Sequence, residues 1–351
     1  MKALLLALLA LLPCLRADEI QMGEIAGAKF KIVMPAAKPW QGKLVLLAHG
    51  YRPENAALGA DLDPTDEFAA PLLKDGWAVA ITSYRRNGWI IEDAIADLGA
   101  LRDHIAKEHG EVKRCVMVGN SMGGLIVTRI AEGALDGADG VVAIGAYLGD
   151  GQSDASHPAL TWQPKVPILY LTNQDELDHP VAYRAKAGKE KTALWTVKRD
   201  GHCNTSDAER LNALRAVDAW IDGKAAEREK DGTLPQRQRP STAKKVDDVA
   251  LEGSIRQASE AWGNLSTDLV AADFETLGLK LGDTAILSNL GEDRLEAAVV
   301  SNRGEVKEGK AALYLTPDGW ALVEINGGHA AKVLGMKTGD RIRVSKGSPG
   351  R

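Results

Sequence analysis

Cysteine is one of the scarcest residues in this 351-residue chain, which has three, at positions 14, 115 and 203. Cys14 lies in an N-terminal apolar segment that we expect to be removed. Cys115 begins a predicted strand whose far end carries Ser121, whereas Cys203 lies beside a histidine that we predict to be a base. Because a strand advances about 3.3 Å per residue, the two sulfurs are expected to lie too far apart for a disulfide. The sequence therefore predicts two free thiols.

The sequence also lacks the patterns of nucleic-acid and metal binding. The formal net charge is -5, and no basic patch or alternation of basic and aromatic residues occurs. The histidines and cysteines do not have the spacing of a metal site. We therefore expect no metal, no cofactor and no nucleic-acid partner.

The N-terminus has the pattern of a targeting segment. A positive charge at Lys2 precedes the apolar run 3–12, which is too short to anchor stably in a bilayer. Ala17 offers a small residue for cleavage before Asp18. We expect residues 1–17 to be a secretory signal peptide, and the mature protein to be secreted or periplasmic, with no membrane contact once the peptide is removed.

A Gly-x-Ser-x-Gly motif, Gly119-Asn120-Ser121-Met122-Gly123, stands between a predicted strand, 114–118, and a predicted apolar helix, 125–134. Between a strand and a helix this motif is typical of a nucleophile elbow. The turn is too tight for side chains at its two glycines. Ser121 is then exposed at the top of a sheet, at the positive N-terminus of the following helix. The sequence therefore predicts that Ser121 is a catalytic nucleophile.

A nucleophilic serine needs a base, and the base needs an acid that orients it. After a nucleophile elbow the chain order is serine, acid, histidine. His202 follows the last predicted strand of this half and precedes its terminal helix, so we predict that His202 is the base. Asp175, in an acidic loop after an earlier strand, is the predicted acid. Glu176 and Asp178 remain alternatives, because loop register cannot be fixed from sequence.

The oxyanion hole is predicted from the same arrangement. One donor is the N–H of the residue after the nucleophile, Met122. The other comes from the loop after an earlier strand, here the N–H of Tyr51 in His49-Gly50-Tyr51. We expect His49 to shape this loop rather than to carry protons.

Together these motifs resemble the α/β-hydrolase superfamily over residues 19–222, a little over half of the chain. The resemblance implies an α/β fold, a mostly parallel sheet with helices on both faces, and acyl transfer to water through a covalent acyl-serine. We expect a small-molecule or polymeric ester as the substrate. Amide or peptide cleavage by the same residues, and a non-catalytic binding protein, remain alternatives.

Many members of this superfamily carry a helical lid after the strand that ends near Tyr147. Here the connection 148–165 is too short for such a domain, so we expect a lidless, open pocket. Trp89 and Trp162 are predicted to be walls of this pocket, with packing at a loop edge as an equal alternative for both.

The second half of the chain has a different pattern. Residues 223–246 combine mixed charge with proline and few apolar residues, which is typical of a linker. Residues 250–347 contain short strand-like runs separated by turns such as Pro317-Asp318-Gly319. This pattern predicts a small β-barrel domain.

One segment of this half, Trp262-Gly263-Asn264-Leu265-Ser266-Thr267-Asp268, resembles the Phe-Gly-Asn-x-x-Thr-Asn motif of the S-adenosylmethionine hydrolase and halogenase family. In that family the barrel contributes adenine contacts at a trimer interface, which implies nucleoside contacts for Trp262 and Asn264. Asp268 replaces the last Asn of the motif, and the family's own N-terminal domain is absent. We therefore expect a structural or oligomerising barrel, with a homo-oligomer as its partner state.

Overall fold

The structure is a computed structural model, and the segment predicted to be a signal peptide lies outside its described residues. The described residues are 18–36, 40–149, 159–247, 249–259, 261–291 and 293–347.

A nine-stranded sheet forms the N-terminal domain, in the order β1-β2-β4-β3-β5-β6-β7-β8-β9. The β1–β2 and β2–β4 pairs are antiparallel, and the other pairs are parallel. Central strands such as β4 and β6 are buried at every position, which explains their continuous apolar sequence. The strands are β1 (Glu19–Ile25), β2 (Ala28–Met34), β3 (Lys43–Ala48), β4 (Ala78–Thr82), β5 (Arg114–Asn120), β6 (Gly140–Ile144), β7 (Ile168–Asn173), β8 (Thr192–Val197) and β9 (Glu229–Asp231).

Helices cover both faces of this sheet, as the sequence predicted. One apolar core packs the sheet against α2, α3 and α4, and a second core packs it against α1 and α5. The helix α2 buries residues at helical spacing, whereas α5 begins with a capping box between Ser206 and Glu209. The helices are α1 (Ala69–Lys74), α2 (Ile91–His109), α3 (Met122–Arg129), α4 (Asp178–Ala187) and α5 (Asp207–Ile221), with a π-helical turn at Ile130–Ala134.

The barrel domain is a closed ring of strands in the order β11-β12-β16-β15-β14-β13-β17, because β17 pairs back to β11. A third apolar core fills this ring. The strands are β10 (Lys244–Lys245), β11 (Ala250–Ala258), β12 (Leu265–Thr267), β13 (Thr284–Ser288), β14 (Arg294–Val299), β15 (Ala311–Leu315), β16 (Ala321–Ile325) and β17 (Arg341–Lys346). The short helices are α6 (Ala271–Leu277) and α7 (Ala330–Val333), with a 3₁₀ turn at Arg303–Glu305.

The segment 223–246, which the sequence predicts to be a linker, contributes a strand to each sheet. The strand β9 pairs with the edge strand β8 of the first domain, and β10 pairs with β11 of the barrel. Both added strands are exposed and carry charged residues, which sheet edges accept readily. The connection between the domains is therefore attached to both of them.

Charged and aromatic contacts join the two domains. Glu67, just before α1, accepts hydrogen bonds from Arg237 (2.7 Å) and Arg239 (2.6 Å). The guanidinium of Arg239 also lies over the ring of Trp320, at 4.1 Å, and Arg256 lies 4.0 Å from the same ring. These contacts bring the barrel against the first domain on the side of α1 and α5.

A cavity of about 660 Å³ lies between the domains. Its lining includes Arg199 and Asn204, from the loop after β8, and Phe274, Leu279 and Val299 of the barrel. The loop after β8 is therefore close to the barrel. In the described part of the chain, no helix has the length and apolar character needed to cross a membrane.

Candidate active site

Ser121 lies at the turn between β5 and α3, with a backbone φ of 57° and ψ of -118°. A positive φ is strained for a residue with a side chain, and nucleophile elbows have this strain. A Cβ added to Gly119 would lie 2.1 Å from the carbonyl oxygen of Gly123, and one added to Gly123 would lie 2.0 Å from that of Ala48. The predicted need for glycine at both positions is confirmed.

The carboxylate next to His202 belongs to Glu176. Its Oε1 accepts a hydrogen bond from Nδ1 of His202, and its Oε2 accepts one from the backbone N–H of Cys203 (3.3 Å). Asp175, the predicted acid, instead accepts the backbone N–H of Gly201 at 2.9 Å. Asp178 begins α4 and lies in its first turn. The loop after β7 thus directs successive side chains differently, and Glu176 replaces Asp175 as the partner of His202.

One backbone carbonyl links Ser121 to the loop that carries His202. The oxygen of Ile144 accepts the N–H of Ser121 (2.9 Å) and also the thiol of Cys203 (3.4 Å). Nε2 of His202 in turn lies 3.8 Å from the sulfur of Cys203. The candidate nucleophile and the loop that carries the candidate base therefore lie at the same carboxyl edge of the parallel strands, where ligand sites of open α/β sheets are found.

The electrostatics of His202 follow from these neighbours. The hydrogen bond with the Cys203 thiol, followed by that with Glu176, raises the pKa of His202 to about 10. The imidazolium form is thus stabilised by the loop. Cys115 is buried and Cys203 is half-buried, and both are free thiols, as predicted.

Asn173 is a residue of this site that sequence reasoning missed. It is fully buried at the end of β7, and its side-chain amide donates to the carbonyls of Arg199 and Asn204, both at 3.0 Å. These carbonyls stand at the two ends of the loop that carries His202. The one sequence signal was a polar residue at the end of an otherwise apolar strand.

The same loop is anchored by a buried carboxylate. Glu209, on α5, pairs with Arg199 and accepts the backbone N–H of Leu234 (2.7 Å). It also completes the capping box with Ser206. Through Glu209, the loop of His202 is joined to the segment that leads to the barrel.

The predicted oxyanion loop lies beside Ser121. A Cβ added to Gly50 would be 3.2 Å from Cβ of Ser121. The ring of His49 lies between the carbonyls of Gly50 (2.7 Å) and Ser83 (3.1 Å), which fixes the start of this loop. Burial, followed by the charge of Arg52, lowers the pKa of His49 to about 4, so this ring is neutral at pH 7. Met122 is buried as the first residue of α3.

The two tryptophans predicted to be pocket walls lie in different surroundings. Trp89 stands edge-to-face against Tyr147, with ring centroids 5.6 Å apart, and Tyr147 is next to Ser121 in space. Trp162 packs on the ring of Tyr183 (5.3 Å) and under the ammonium of Lys186 (4.0 Å). Tyr147 was not among the predicted site residues.

Two family models match the chain. The model described as "Serine aminopeptidase, S33", an α/β-hydrolase family, matches residues 65–224. The model described as "SAM hydroxide adenosyltransferase C-terminal domain" matches residues 260–343. The first domain is an α/β-hydrolase domain. The second match confirms the predicted resemblance of the barrel to the S-adenosylmethionine hydrolase and halogenase family.

Solved structures similar to the chain include both esterases and peptidases. Est1E from Butyrivibrio proteoclasticus is 14% identical, with 58% of this chain and 99% of that chain covered and a TM-score of 0.43. The acylaminoacyl peptidase of Pyrococcus horikoshii is 11% identical, with 59% and 42% covered and a TM-score of 0.44. An uncharacterized conserved protein from Thermotoga maritima is 25% identical, with 38% of this chain and half (50%) of that chain covered and a TM-score of 0.27. No curated protein sequence matches the chain.

In the barrel, the motif segment forms a tight turn outside the hydrolase domain. Trp262 is 37% exposed, and its backbone N–H donates to Oγ of Ser259 at 3.1 Å. Asn264 is half-buried, and its carbonyl accepts the N–H of Ser259 at 2.9 Å. A Cβ added to Gly263 would lie 2.1 Å from the ring of His329, so glycine allows this close approach. The backbone of both motif residues thus has a structural role in the turn.

Proposed function

We propose that the protein is a serine hydrolase that cleaves carboxylic esters through an acyl-serine intermediate. One observation carries the proposal: a strained Ser121 and a His202–Glu176 pair occupy the same edge of an α/β-hydrolase sheet. Perturbed side chains that converge in this way are typical of catalytic sites.

In the proposed reaction, Oγ of Ser121 attacks the ester carbonyl carbon while Nε2 of His202 takes the hydroxyl proton. The bond from the acyl carbon to the alcohol oxygen then breaks, and His202 gives the proton to the leaving alcohol. A water molecule attacks the acyl-serine by the same route and releases the carboxylic acid and free Ser121. Glu176 accepts Nδ1–H throughout and stabilises the imidazolium.

The backbone N–H groups of Met122 and Tyr51 are proposed to bind the oxyanion. Support comes from the position of Met122 at the N-terminus of α3 and from the close approach of the Gly50 backbone to Ser121. Each donor would contribute about 3–4 kcal/mol of transition-state stabilisation.

Esters are proposed as the substrates because an alkoxide leaves a tetrahedral intermediate more readily than an amide nitrogen does. Amide or peptide cleavage is a second candidate, which the aminopeptidase description of the matching family favours. Parallel assays with p-nitrophenyl acetate and with amino-acid p-nitroanilides that carry a free α-amine separate the two. Ester cleavage without anilide cleavage supports the first proposal, and anilide cleavage at a comparable kcat/KM supports the second.

The nucleophile is tested with a fluorophosphonate that labels activated serines. We expect stoichiometric labelling of Ser121, and a Ser121→Ala variant that is unlabelled and about 10⁶-fold slower on p-nitrophenyl acetate. Ser288→Ala, in β13 of the barrel, is the control. An unlabelled wild-type protein without esterase activity would contradict the proposal and favour a binding protein on a hydrolase scaffold.

For the barrel we propose a structural role. Two observations support this role. Glu67, Arg239 and Trp320 are in contact across the domain boundary, and the loop of His202 lines the same cavity as residues of the barrel.

A further inference from the structure

Tyr147 places an aromatic side chain beside the candidate nucleophile. It follows β6, and its backbone N–H donates to the carbonyl oxygen of Ser121 at 3.3 Å. Its side chain belongs to the exposed large apolar residues, with 49% exposure. Because the backbone of Tyr147 adjoins that of Ser121 and its side chain is exposed, this ring is available to a bound substrate.

Two further rings extend this surface into a row. The ring of Trp89, from the loop after β4, meets Tyr147 at 89° with centroids 5.6 Å apart. The ring of His179, at the start of α4, lies 5.2 Å from Tyr147 on a tilt of 55°. Nδ1 of His179 donates to the carbonyl of Gly149 at 2.8 Å, which fixes the orientation of that ring. We call Trp89, Tyr147 and His179 the aromatic row.

Neighbours of the aromatic row and of the base pack against different cores of the first domain. Trp89 packs against the core formed with α2, α3 and α4, whereas Cys203, beside His202, packs against the core formed with α1 and α5. The leaving alcohol must lie within hydrogen-bond reach of the histidine that protonates it. An acyl group on the other side of the attacked carbon would then extend away from His202 and toward the row.

From this geometry we infer that the aromatic row is the acyl-side wall, and that the preferred substrates are esters of carboxylic acids whose acyl chain ends in an aromatic ring. The inference rests on the proposed ester hydrolysis. A planar aryl group can stack on Tyr147 or meet its edge, and such pairs add to simple apolar burial. A flexible alkyl chain of similar size gains burial alone and loses more rotamer freedom.

The test compares two isomeric esters of equal size, methyl phenylacetate and benzyl acetate. The aryl group is on the acyl side of the first and on the alcohol side of the second. We expect wild-type protein to favour methyl phenylacetate in kcat/KM. Tyr147→Leu should lower the ratio of the two kcat/KM values by about fivefold to tenfold, through loss of one aromatic contact. The kcat/KM for methyl hexanoate should fall by less than twofold in the same variant.

Two variants act as controls for this ratio. Tyr147→Phe keeps the ring and should keep the wild-type ratio. Val181→Ala, at an exposed position of α4 close in sequence to His179, should also leave the ratio unchanged. Thermal melts of each variant report whether it is folded.

The outcomes separate this inference from the proposed function. If both isomers are hydrolysed with equal kcat/KM, or if Tyr147→Leu slows both equally, the aromatic row does not select the acyl group. If neither ester is hydrolysed and Ser121 takes up no fluorophosphonate, the proposed function itself fails.

Discussion

The carboxylate of Glu176 faces Nδ1 of His202, whereas the carboxylate of Asp175, one residue earlier, faces the backbone N–H of Gly201. Two adjacent acids therefore hold the same loop in different ways. Glu176 can orient the imidazole and stabilise its charged form. Asp175 holds the backbone of Gly201, which precedes His202.

The first prediction separates these two roles. Glu176→Gln should lower kcat by about 10⁴-fold, because a carboxamide does not stabilise the imidazolium and allows the wrong tautomer. Asp175→Asn should lower kcat by less than about tenfold, since Asn retains an oxygen that accepts the N–H of Gly201. Steady-state kinetics on p-nitrophenyl acetate measure both. A larger loss from Asp175→Asn than from Glu176→Gln would assign the acid role to Asp175.

The second prediction concerns the clamp made by Asn173. Its amide donates to the carbonyls at both ends of the base loop, so Asn173→Asp, which has no donor there, should lower kcat about 10-fold to 100-fold with little change in KM. Thr172→Val is the matched control, because Oγ1 of Thr172 is buried with no hydrogen-bond partner among the described residues. Equal kinetics for Asn173→Asp and wild type would show that the loop holds its position without the amide.

The third prediction is a pH dependence. The hydrogen bonds to Cys203 and Glu176 raise the pKa of His202 to about 10, which favours the protonated ring. Since the base must be deprotonated, kcat/KM should rise with pH above neutrality and level off only in alkaline solution. Cys203→Ala removes the larger cause, so the rising limb should move to lower pH. A pH profile of kcat/KM that is identical in Cys203→Ala would contradict this account.

The fourth prediction concerns stability at the domain boundary. Burial, followed by the charge of Asp207, raises the pKa of Asp66 to about 7, well above its value in an unfolded chain. The folded state therefore binds this proton more tightly, and the resulting stabilisation is present in acid and is lost as the pH rises from about 4 to about 7. Asp66→Asn does not ionise, and its oxygen can still accept the N–H of Ala69, as Asp66 does. Its free energy of unfolding should exceed that of wild type by about 4 kcal/mol at pH 8 and come close to it at pH 4.

Urea unfolding at the two pH values measures this difference. Asp103→Asn is the control, because the side chain of Asp103 is 79% exposed and should show no such pH dependence. A variant Asp66→Asn that is less stable than wild type at pH 8 would mean that the charged form of Asp66 stabilises the fold.

Local patterns in the sequence predicted most of the fold because its elements follow simple periodicities. The predicted strand 114–118 lies within β5, and the predicted helix 125–134 covers the second half of α3 and the π-helical turn that follows it. The strand β9 was missed, because Glu229–Asp231 is fully charged and its pairing depends on the free edge of β8. A short edge strand has too little local signal to be recognised.

The candidate site likewise contains features that the sequence predicted and features that only the tertiary structure shows. The sequence by itself determined the elbow of Ser121, because two glycines between a strand and a helix leave the backbone few alternatives. It also determined that a histidine would follow the last strand. Only the tertiary structure decided that Glu176 faces His202, that Asn173 reaches across to both ends of the loop, and that Tyr147 stands beside Ser121. These contacts join residues far apart in the chain, and their directions depend on side-chain and loop geometry that no local pattern encodes.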